Sequence, residues 1–154
     1  IDRCVEAARL APSACNSQPW SFIVVDDPVL KEKLAQKAFA GLYSMNAFAA
    51  KAPVLVAVVR DHSKLIARLG GQFRGVTYSL IDVGIACEHF ILQAAEEGVG
   101  TCWLGWFHDR AVQKTLGLPR TAKVDVIISM GYPASPVQRA KNRKPLDEVR
   151  RYNI

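Results

Sequence analysis

The sequence predicts an α+β fold in which a small central sheet, mixed or antiparallel, is flanked by helices. Helical and strand-like segments are intermixed along its 154 residues, but they do not follow a strict βαβ repeat. Apolar runs at 54–59 and 124–131 predict buried strands, and a long apolar segment at 76–97 predicts a central helix. The length is that of one domain, and no linker or internal repeat divides it. We therefore expect a single domain over residues 1–154.

The N-terminal segment predicts a helix, a polar loop and a strand. The helix covers 2–10 and ends before Pro12, because a residue that precedes proline disfavours the helical conformation. The strand covers the apolar run 20–25. Asp27 and Pro28 then start a second helix, since Asp is a favoured N-cap and Pro a favoured first helical residue.

Two shorter features separate the second helix from the long one. Gly41 is expected to end the second helix, and Asn46 is a candidate cap for a short helix that stops before Pro53. The run 54–59 is apolar at every position, which is typical of a strand covered on both faces.

The helix predicted over 76–97 ends at Gly98, because glycine is a favoured C-terminal cap. Its polar residues share one narrow stripe, whereas a helix at a protein surface needs only one apolar face. The stripe consists of Ser79, Asp82, His89, Gln93 and Glu96. The excess of apolar surface predicts packing on two sides, against the sheet and against another subunit, and therefore an obligate homodimer. His89 is expected to be solvated.

The C-terminal third predicts a short strand, a helix and a longer strand. The short strand covers 101–104, the helix is capped by Asp109 and closed by Gly117, and the longer strand covers 124–131. Prolines beyond this strand turn the chain into a basic tail.

The four cysteines form no Cys-x-x-Cys pair and have no metal-ligand spacing. They are Cys4, Cys15, Cys87 and Cys102. We expect structural free thiols in a reducing compartment, and hence a cytoplasmic protein without a metal site. A redox role of Cys15 or Cys102 stays open.

The first residues resemble neither a signal peptide nor a transit sequence, and charged residues interrupt the longest apolar segment, so no membrane span is expected.

The formal charge of +6 is concentrated at the C-terminal end. Residues 138–154 contain six Lys and Arg against Asp147 and Glu148, a local charge of +4. Such a cluster can bind nucleic acid, an anionic membrane or a phosphorylated small molecule, and it can equally be a solvated terminus. Tyr152 is its only aromatic residue, which disfavours the base stacking that single-strand binders use.

The segment 11–20 is a stiff polar loop between an apolar helix and an apolar strand. A rigid backbone with a few placed polar groups suits a flat heteroaromatic ligand, although Ser and Asn also satisfy loop backbone locally. Its wording, Pro-Ser-Ala-Cys-Asn-Ser-Gln-Pro-Trp from residue 12, resembles the loop that holds the flavin in the FMN-dependent nitroreductase family. The resemblance implies that FMN contacts Pro12, Ser13, Ala14 and Asn16.

A second segment carries the same resemblance. The sequence Gly-Val-Gly-Thr-Cys-Trp-Leu-Gly at 98–105 follows the long helix and is similar to the family's Gly-x-Gly-Thr/Ser-x-Trp-x-Gly signature. It is not a Rossmann motif, whose glycines lie between a strand and a helix. The resemblance implies that backbone at Trp103, Leu104 and Gly105 lies against the isoalloxazine, with an amide N–H reaching flavin N5.

The tail segment Lys-Asn-Arg-Lys-Pro-Leu, which begins at Lys141, is similar to the family's closing Lys/Arg-x-Arg-Lys-Pro-Leu. The resemblance implies that the FMN phosphate is bound by Arg143 as the first candidate and by Lys141 as the second. Both side-chain types suit a phosphate ligand. Asn46 resembles an Asn that the family places near the pyrimidine edge of the flavin. The Lys that often follows a turn later is missing, because Ala49 stands there and Lys51 is offset.

The resemblance covers nearly the whole chain, but the first residues depart from the family's pattern. Family members usually open with Arg-x-Ser-x-Arg, which contacts the flavin, and residues 1–10 contain no such segment. Either that segment lies before residue 1 or FMN binding is weakened.

The resemblance implies a homodimeric, FMN-dependent oxidoreductase. NAD(P)H would pass hydride to flavin N5, and a nitroaromatic, quinone or similar electron-poor acceptor would then use the same pocket in a ping-pong cycle. No side chain is assigned as a catalytic acid or base, and neither nucleic acid nor membrane is expected as a partner. The alternatives are flavin storage or sensing with little turnover, and another acceptor, as in a dehalogenase, an enone reductase or a flavin-fragmenting enzyme. Residues 61–75 are the candidate lid.

Overall fold

A four-stranded antiparallel sheet forms the centre of the molecule. The computed structural model describes residues 1–61, 75–135 and 140–153. The strands are β1 (Trp20–Val25), β2 (Val54–Arg60), β3 (Gly100–Leu104) and β4 (Lys123–Gly131). Their order is β1-β2-β4-β3, and every neighbouring pair is antiparallel. The prediction of an α+β fold around a small sheet is confirmed, and of the two sheet types expected it is the antiparallel one.

Helices cover both faces of this sheet. The α-helices are α1 (Asp2–Arg9), α2 (Pro28–Ala38), α3 (Tyr78–Glu96), α4 (Asp109–Thr115) and α5 (Leu146–Val149). Among the described residues, two 3₁₀ helices cover Ala14–Asn16 and Gly41–Lys51. Gly98 has φ +70° just after α3, a left-handed conformation that glycine adopts without a steric penalty. None of the described helices combines the length and the apolar content that a bilayer crossing requires.

Of the three predicted N-terminal caps, one is confirmed and two are wrong. Asp27 caps α2, since its Oδ1 accepts from the backbone N of Leu30 at 2.7 Å. Asn46 lies inside the 3₁₀ helix Gly41–Lys51 and not at its start. Asp109 is the first residue of α4 and not the residue before it, so its carboxylate accepts instead from Gln113 Nε2 at 2.9 Å and from Lys123 Nζ at 3.1 Å.

Two hydrophobic cores lie on opposite faces of the sheet. On one face Val56, Val58 and Ile128 pack against α1 and α3, and the rings of Phe22 and Phe90 stack with their centroids 5.5 Å apart. On the other face Leu55, Ala57, Leu104 and Ile127 pack against α2 and α4. β2 is therefore covered on both sides, which explains why 54–59 is apolar at every position.

A β-bulge at Asp125 interrupts the alternation of β4. Val58 pairs with Val126 and Val59 pairs with Val124, so Asp125 is the extra residue on its strand. As a result, Val124 and Val126 belong to opposite cores although they are two positions apart.

Candidate functional site

The loop between α1 and β1 has an unusual backbone. Cys15, Asn16 and Gln18 have φ values of +52°, +50° and +45°. Residues other than glycine rarely adopt this left-handed region, because Cβ approaches the neighbouring carbonyl, at a cost of roughly 1–2 kcal/mol per residue. Strained backbone of this kind persists only where surrounding contacts hold it, and it is concentrated at ligand sites and switch regions.

Asp82 of α3 anchors this loop. Its side chain is buried, its Oδ1 accepts from the backbone N of Ala14 at 3.0 Å, and its Oδ2 accepts from Ser17 Oγ at 3.3 Å. A hydrogen bond to a carboxylate is stronger than a bond between neutral groups. The sequence placed Asp82 on the polar stripe of the long helix but did not predict this contact. The available signal was a single carboxylate within an otherwise apolar stretch.

The loop presents part of its polar surface to solvent. Pro12 and Asn16 are exposed, whereas Ser13 and Ala14 are half-buried. Asn16 Oδ1 accepts from Gln18 Nε2 at 3.2 Å, and within the described ranges no residue accepts a hydrogen bond from Asn16 Nδ2. This amide can therefore donate to a ligand. The backbone N–H of Ala14 already donates to Asp82, and Ser13 Oγ accepts from the Gln18 backbone N at 2.9 Å.

The residues of the segment after α3 differ in their exposure to solvent. Trp103 and Gly105 are exposed, whereas the Leu104 side chain packs in the core beside α2 and α4. Only the backbone of Leu104 is thus placed to meet a ligand. A Cβ atom built on Gly105 would meet no atom within 4 Å, so the space beside this glycine is open.

Asn46 belongs to the same region as this segment. Its Nδ2 donates to the backbone O of Trp106 at 2.8 Å, and Trp106 Nε1 donates to the backbone O of Leu42 at 3.1 Å. The ring of Tyr43 lies with its centroid 5.2 Å from that of Trp106. The 3₁₀ helix Gly41–Lys51 and the loop after β3 therefore form one connected unit. The structure brings Asn46 and Gly105 into that unit.

The opening loop and the loop after β3 lie at the same end of the sheet. Trp20 at the start of β1 pairs with Arg60, and Leu104 at the end of β3 pairs with Ile127. The antiparallel order directs the start of β1 and the end of β3 toward the same end of the sheet. Leu104 is level with Ile23 of β1, three residues from Trp20, because Ile127 pairs with Ala57 and Ala57 pairs with Ile23. These strands form opposite edges of the sheet, three strand spacings of about 4.8 Å apart. Within one chain the two predicted segments share an end, but the width of the sheet separates them.

The basic tail is exposed throughout its described length. Every residue from 140 to 153 is exposed, including Lys141 and Arg143. Arg143 Nη1 donates to the backbone O of Asn142 at 2.9 Å, and neither Arg143 nor Lys141 pairs with a carboxylate of any described residue. Both cations are thus available to an anion. Arg139 and nearly all of the candidate lid 61–75 lie outside the described residues.

Two of the four cysteines are buried. Cys4 and Cys87 are buried, and burial raises the pKa of both thiols, that of Cys87 to about 12. Cys15 is exposed and Cys102 is half-buried.

His89 is half-buried, and its Nδ1 lies 2.9 Å from the backbone O of Ile85, so the expectation of a simply solvated His89 is wrong. One helical turn separates the two residues, which allows this contact.

Known proteins with a similar sequence include an archaeal and a bacterial relative. A protein of Archaeoglobus fulgidus described as a candidate NADH dehydrogenase/NAD(P)H nitroreductase is 34% identical over 137 residues, which cover 86% of this chain and 72% of that protein. An iodotyrosine deiodinase of Thermotoga neapolitana is 26% identical over 170 residues, which cover 97% of this chain and 83% of that protein.

The fold is similar to that of a solved FMN-dependent nitroreductase from Clostridium difficile R20291. The TM-score is 0.72 at 28% sequence identity, and the match covers 98% of this chain and 84% of the other. The model of the nitroreductase family matches residues 1–47 and 43–132, which is most of the sequence. By sequence, by fold and by the motifs at both loops, the chain belongs to the nitroreductase family.

Proposed function

We propose that this protein is an FMN-dependent oxidoreductase that takes electrons from NAD(P)H and delivers them to a nitroaromatic, quinone or similar electron-poor acceptor in a ping-pong cycle. The observation that carries the proposal is the strained loop at 12–18, held in place by Asp82 and presenting the Asn16 amide. Family membership and the names of the relatives support the same reaction class.

The residues of the two loops fit a flat heteroaromatic ring. Asn16 offers an amide donor on a rigid backbone, and Pro12 stiffens the chain beside it. Gly105 leaves open space that a Cβ atom would enter, and Trp103, two residues before it, is exposed. Ser13 and Ala14 complete the proposed contacts through the backbone and the Ser13 hydroxyl, while Leu104 contributes backbone alone. We place Asn46 at the margin of the site, because its amide already donates to Trp106.

The tail fits a phosphate group. Arg143 and Lys141 carry positive charge on exposed side chains, and no described carboxylate competes for them. Arg provides planar bidentate donors and Lys a point charge, both of which suit phosphate oxygens. Lys144 adds a third charge to the same short segment. We therefore assign the phosphate end of the cofactor to this segment.

Two subunits supply these parts in our proposal. Leu80, Ile81 and Leu92 of α3 are 47%, 50% and 60% exposed, so the long helix presents apolar side chains away from the sheet. A second copy of the chain would cover them and release the water that they order. The opening loop of one subunit would then meet the loop after β3 and the tail of the other, and each flavin would be framed by both.

The chemistry comes from the cofactor, since FMN bound at this site supplies hydride acceptance and release at its N5 atom. The chain supplies position and electrostatics. A backbone N–H near Gly105 and positive charge on Arg143 and Lys141 would favour negative charge on the bound cofactor. We assign no side chain as a general acid or base. The free thiols support a reducing compartment, and we propose the cytoplasm.

A spectroscopic experiment tests the proposal. Purified protein is mixed with FMN, freed of unbound FMN by gel filtration, and treated anaerobically with NADH or NADPH. We expect yellow protein that bleaches with one of these donors and recovers its colour when a nitroaromatic or a quinone is added afterwards. Recovery in this separate second step supports the ping-pong order. Yellow protein that neither donor bleaches would favour flavin storage, and colourless protein that takes up no FMN would overturn the proposal.

The similarity to an iodotyrosine deiodinase favours a second acceptor class. Reductive removal of iodide from an iodinated tyrosine uses the same reduced cofactor and differs only in the molecule that receives the electrons. The same experiment distinguishes the two, because iodotyrosine would then restore the colour and release iodide while nitroaromatics and quinones react poorly.

A further inference from the structure

The strained opening loop requires an anchor outside its own sequence. Within the loop, the backbone N of Asn16 donates to Ser13 O and that of Ser17 donates to Ala14 O, both at 3.0 Å. These bonds join neutral groups within five residues, and they do not fix the loop to the body of the protein. Asp82 provides that connection, since its bond to Ala14 spans 68 residues of sequence.

Asp82 directs its described hydrogen bonds toward this loop. The side chain is 4% exposed, and burial of a carboxylate is unfavourable unless hydrogen bonds replace its water. Its Oδ1 bonds Ala14 and its Oδ2 bonds Ser17, while no described Lys or Arg pairs with it. An apolar residue at this place in α3 would pack without that desolvation cost. The hydrogen bonds to the loop therefore explain why a carboxylate occupies this position, whereas the stability of the core does not.

We propose that Asp82 is a positioning residue for the cofactor, one that holds the loop 13–18 in its flavin-binding conformation before the flavin arrives. The proposal rests on the proposed function, because it takes FMN as the ligand of the loop. Asp82 itself makes no contact with the flavin. It fixes Ala14 and Ser17, and these flank the strained pair Cys15 and Asn16. Preorganisation of this kind raises affinity, because the loop loses less conformational freedom on binding.

Hydrogen exchange on the flavin-free protein tests the anchor itself. In Asp82→Ala, the amide of Ala14 should exchange roughly ten- to hundredfold faster than in the wild type, as expected for loss of a bond to a charged group. Asp82→Asn should restore partial protection, since its Oδ1 can still accept from Ala14 and its amide can donate to Ser17 Oγ. Ser17→Ala removes only the second bond and should leave Ala14 protected. Glu96→Gln removes an exposed carboxylate on the same helix and is the control for charge.

Flavin titration of the same variants tests the role toward the cofactor. We expect Asp82→Ala to weaken FMN binding roughly tenfold or more, with Asp82→Asn intermediate and Glu96→Gln unchanged. At saturating FMN, the visible circular dichroism of the bound flavin should change in Asp82→Ala and return toward the wild-type spectrum in Asp82→Asn. A general loss of stability would not produce this spectral difference in fully loaded protein.

The outcomes separate this proposal from the proposed function. A wild type that takes up no FMN would overturn the proposed function and the cofactor role of Asp82 together, while the exchange data would still report on the anchor. A wild type that binds FMN, beside an Asp82→Ala variant that binds it equally well, would overturn the role of Asp82 alone. Unchanged exchange at Ala14 in Asp82→Ala would overturn the anchor.

Discussion

Arg60 of β2 and Asp125 of β4 form a two-bond ion pair between the two central strands of the sheet. Arg60 Nε donates to Asp125 Oδ2 at 2.5 Å and Nη2 donates to Oδ1 at 3.1 Å, and the two side chains are only 11% and 16% exposed. Arg60 Nη1 also donates to Ser79 Oγ at 3.2 Å, at the start of α3. The β-bulge places the Asp125 carboxylate where Arg60 can reach it. The pair thus connects the two central strands with the long helix.

Replacement of Arg60 should strongly destabilise the protein. Arg60→Met leaves the Asp125 carboxylate nearly buried and unpaired, so we expect the free energy of unfolding in urea to fall by about 3–5 kcal/mol. Lys123→Met breaks the more exposed pair with Asp109 and should lower it by less than about 1 kcal/mol. The double variant Arg60→Met with Asp125→Met should recover most of the loss. Equal effects of the Arg60 and Lys123 variants would contradict this assignment.

The buried Cys87 thiol predicts alkaline destabilisation. Its pKa is raised to about 12 by burial and, to a smaller extent, by the charges of Asp125 and Glu88, whereas the ordinary value of a cysteine thiol is 9.0. Above that lower value the unfolded state loses the proton first, so stability should decrease between about pH 9 and about pH 12, by up to about 1.4 kcal/mol per pH unit. Denaturant unfolding over this range should show a shallower pH dependence for Cys87→Ala. An identical slope in both proteins would contradict the prediction.

Gly105→Ala should reduce flavin affinity without affecting the fold. The added methyl group meets no protein atom within 4 Å, and Gly105 does not have a positive φ, so the melting temperature should stay close to that of the wild type. In the proposed site the methyl group enters the space of the flavin ring, where overpacking costs about 1–3 kcal/mol. Fluorescence titration with FMN measures the effect. Unchanged affinity would place the ring elsewhere.

Arg143→Ala should weaken retention of FMN while the protein stays folded. Loss of a charge-assisted bond to the phosphate corresponds to about 1.5–3 kcal/mol, or roughly a ten- to hundredfold higher Kd. Lys141→Ala should have a smaller effect. Arg151→Ala is the matched control, because Arg151 is equally exposed and lies outside the matching motif. If Arg151→Ala weakened binding as much as Arg143→Ala, general positive charge and not a phosphate contact would be the cause.

Leu92→Glu should disrupt the proposed dimer. At low micromolar concentration we expect the wild type to sediment as a dimer and the variant as a monomer with little bound FMN, because the interface would have to bury an unpaired carboxylate. Val29→Glu introduces the same charge on α2, on the opposite side of the sheet, at a residue that is 77% exposed, and should remain dimeric. A stable wild-type monomer at this concentration would exclude the dimer.

Local signals explain which elements the sequence predicted well. The strand Trp20–Val25 and the start of α2 at Pro28 agree with the prediction, because apolar runs, Asp27 and Pro28 act within a few residues. The predicted caps at Asn46 and Asp109 are wrong, because Asn46 lies inside a 3₁₀ helix and Asp109 is the first residue of α4. A cap depends on which residue first leaves the helical conformation, and both Asn and Asp are also acceptable inside a first turn or a 3₁₀ segment.

The family resemblance, the fold class and the candidate loops could be predicted, because each depends on contiguous residues. Only the folded chain shows that Asp82 holds Ala14 and Ser17, and that Arg60 pairs with Asp125 at a bulge. These partners lie 65 to 68 residues apart in the chain. Periodicity and motifs report on neighbours in sequence, whereas a buried carboxylate takes the donors that folding brings within 3 Å or so of it. For that reason a polar stripe on a helix could be predicted, and the anchor of the opening loop could not.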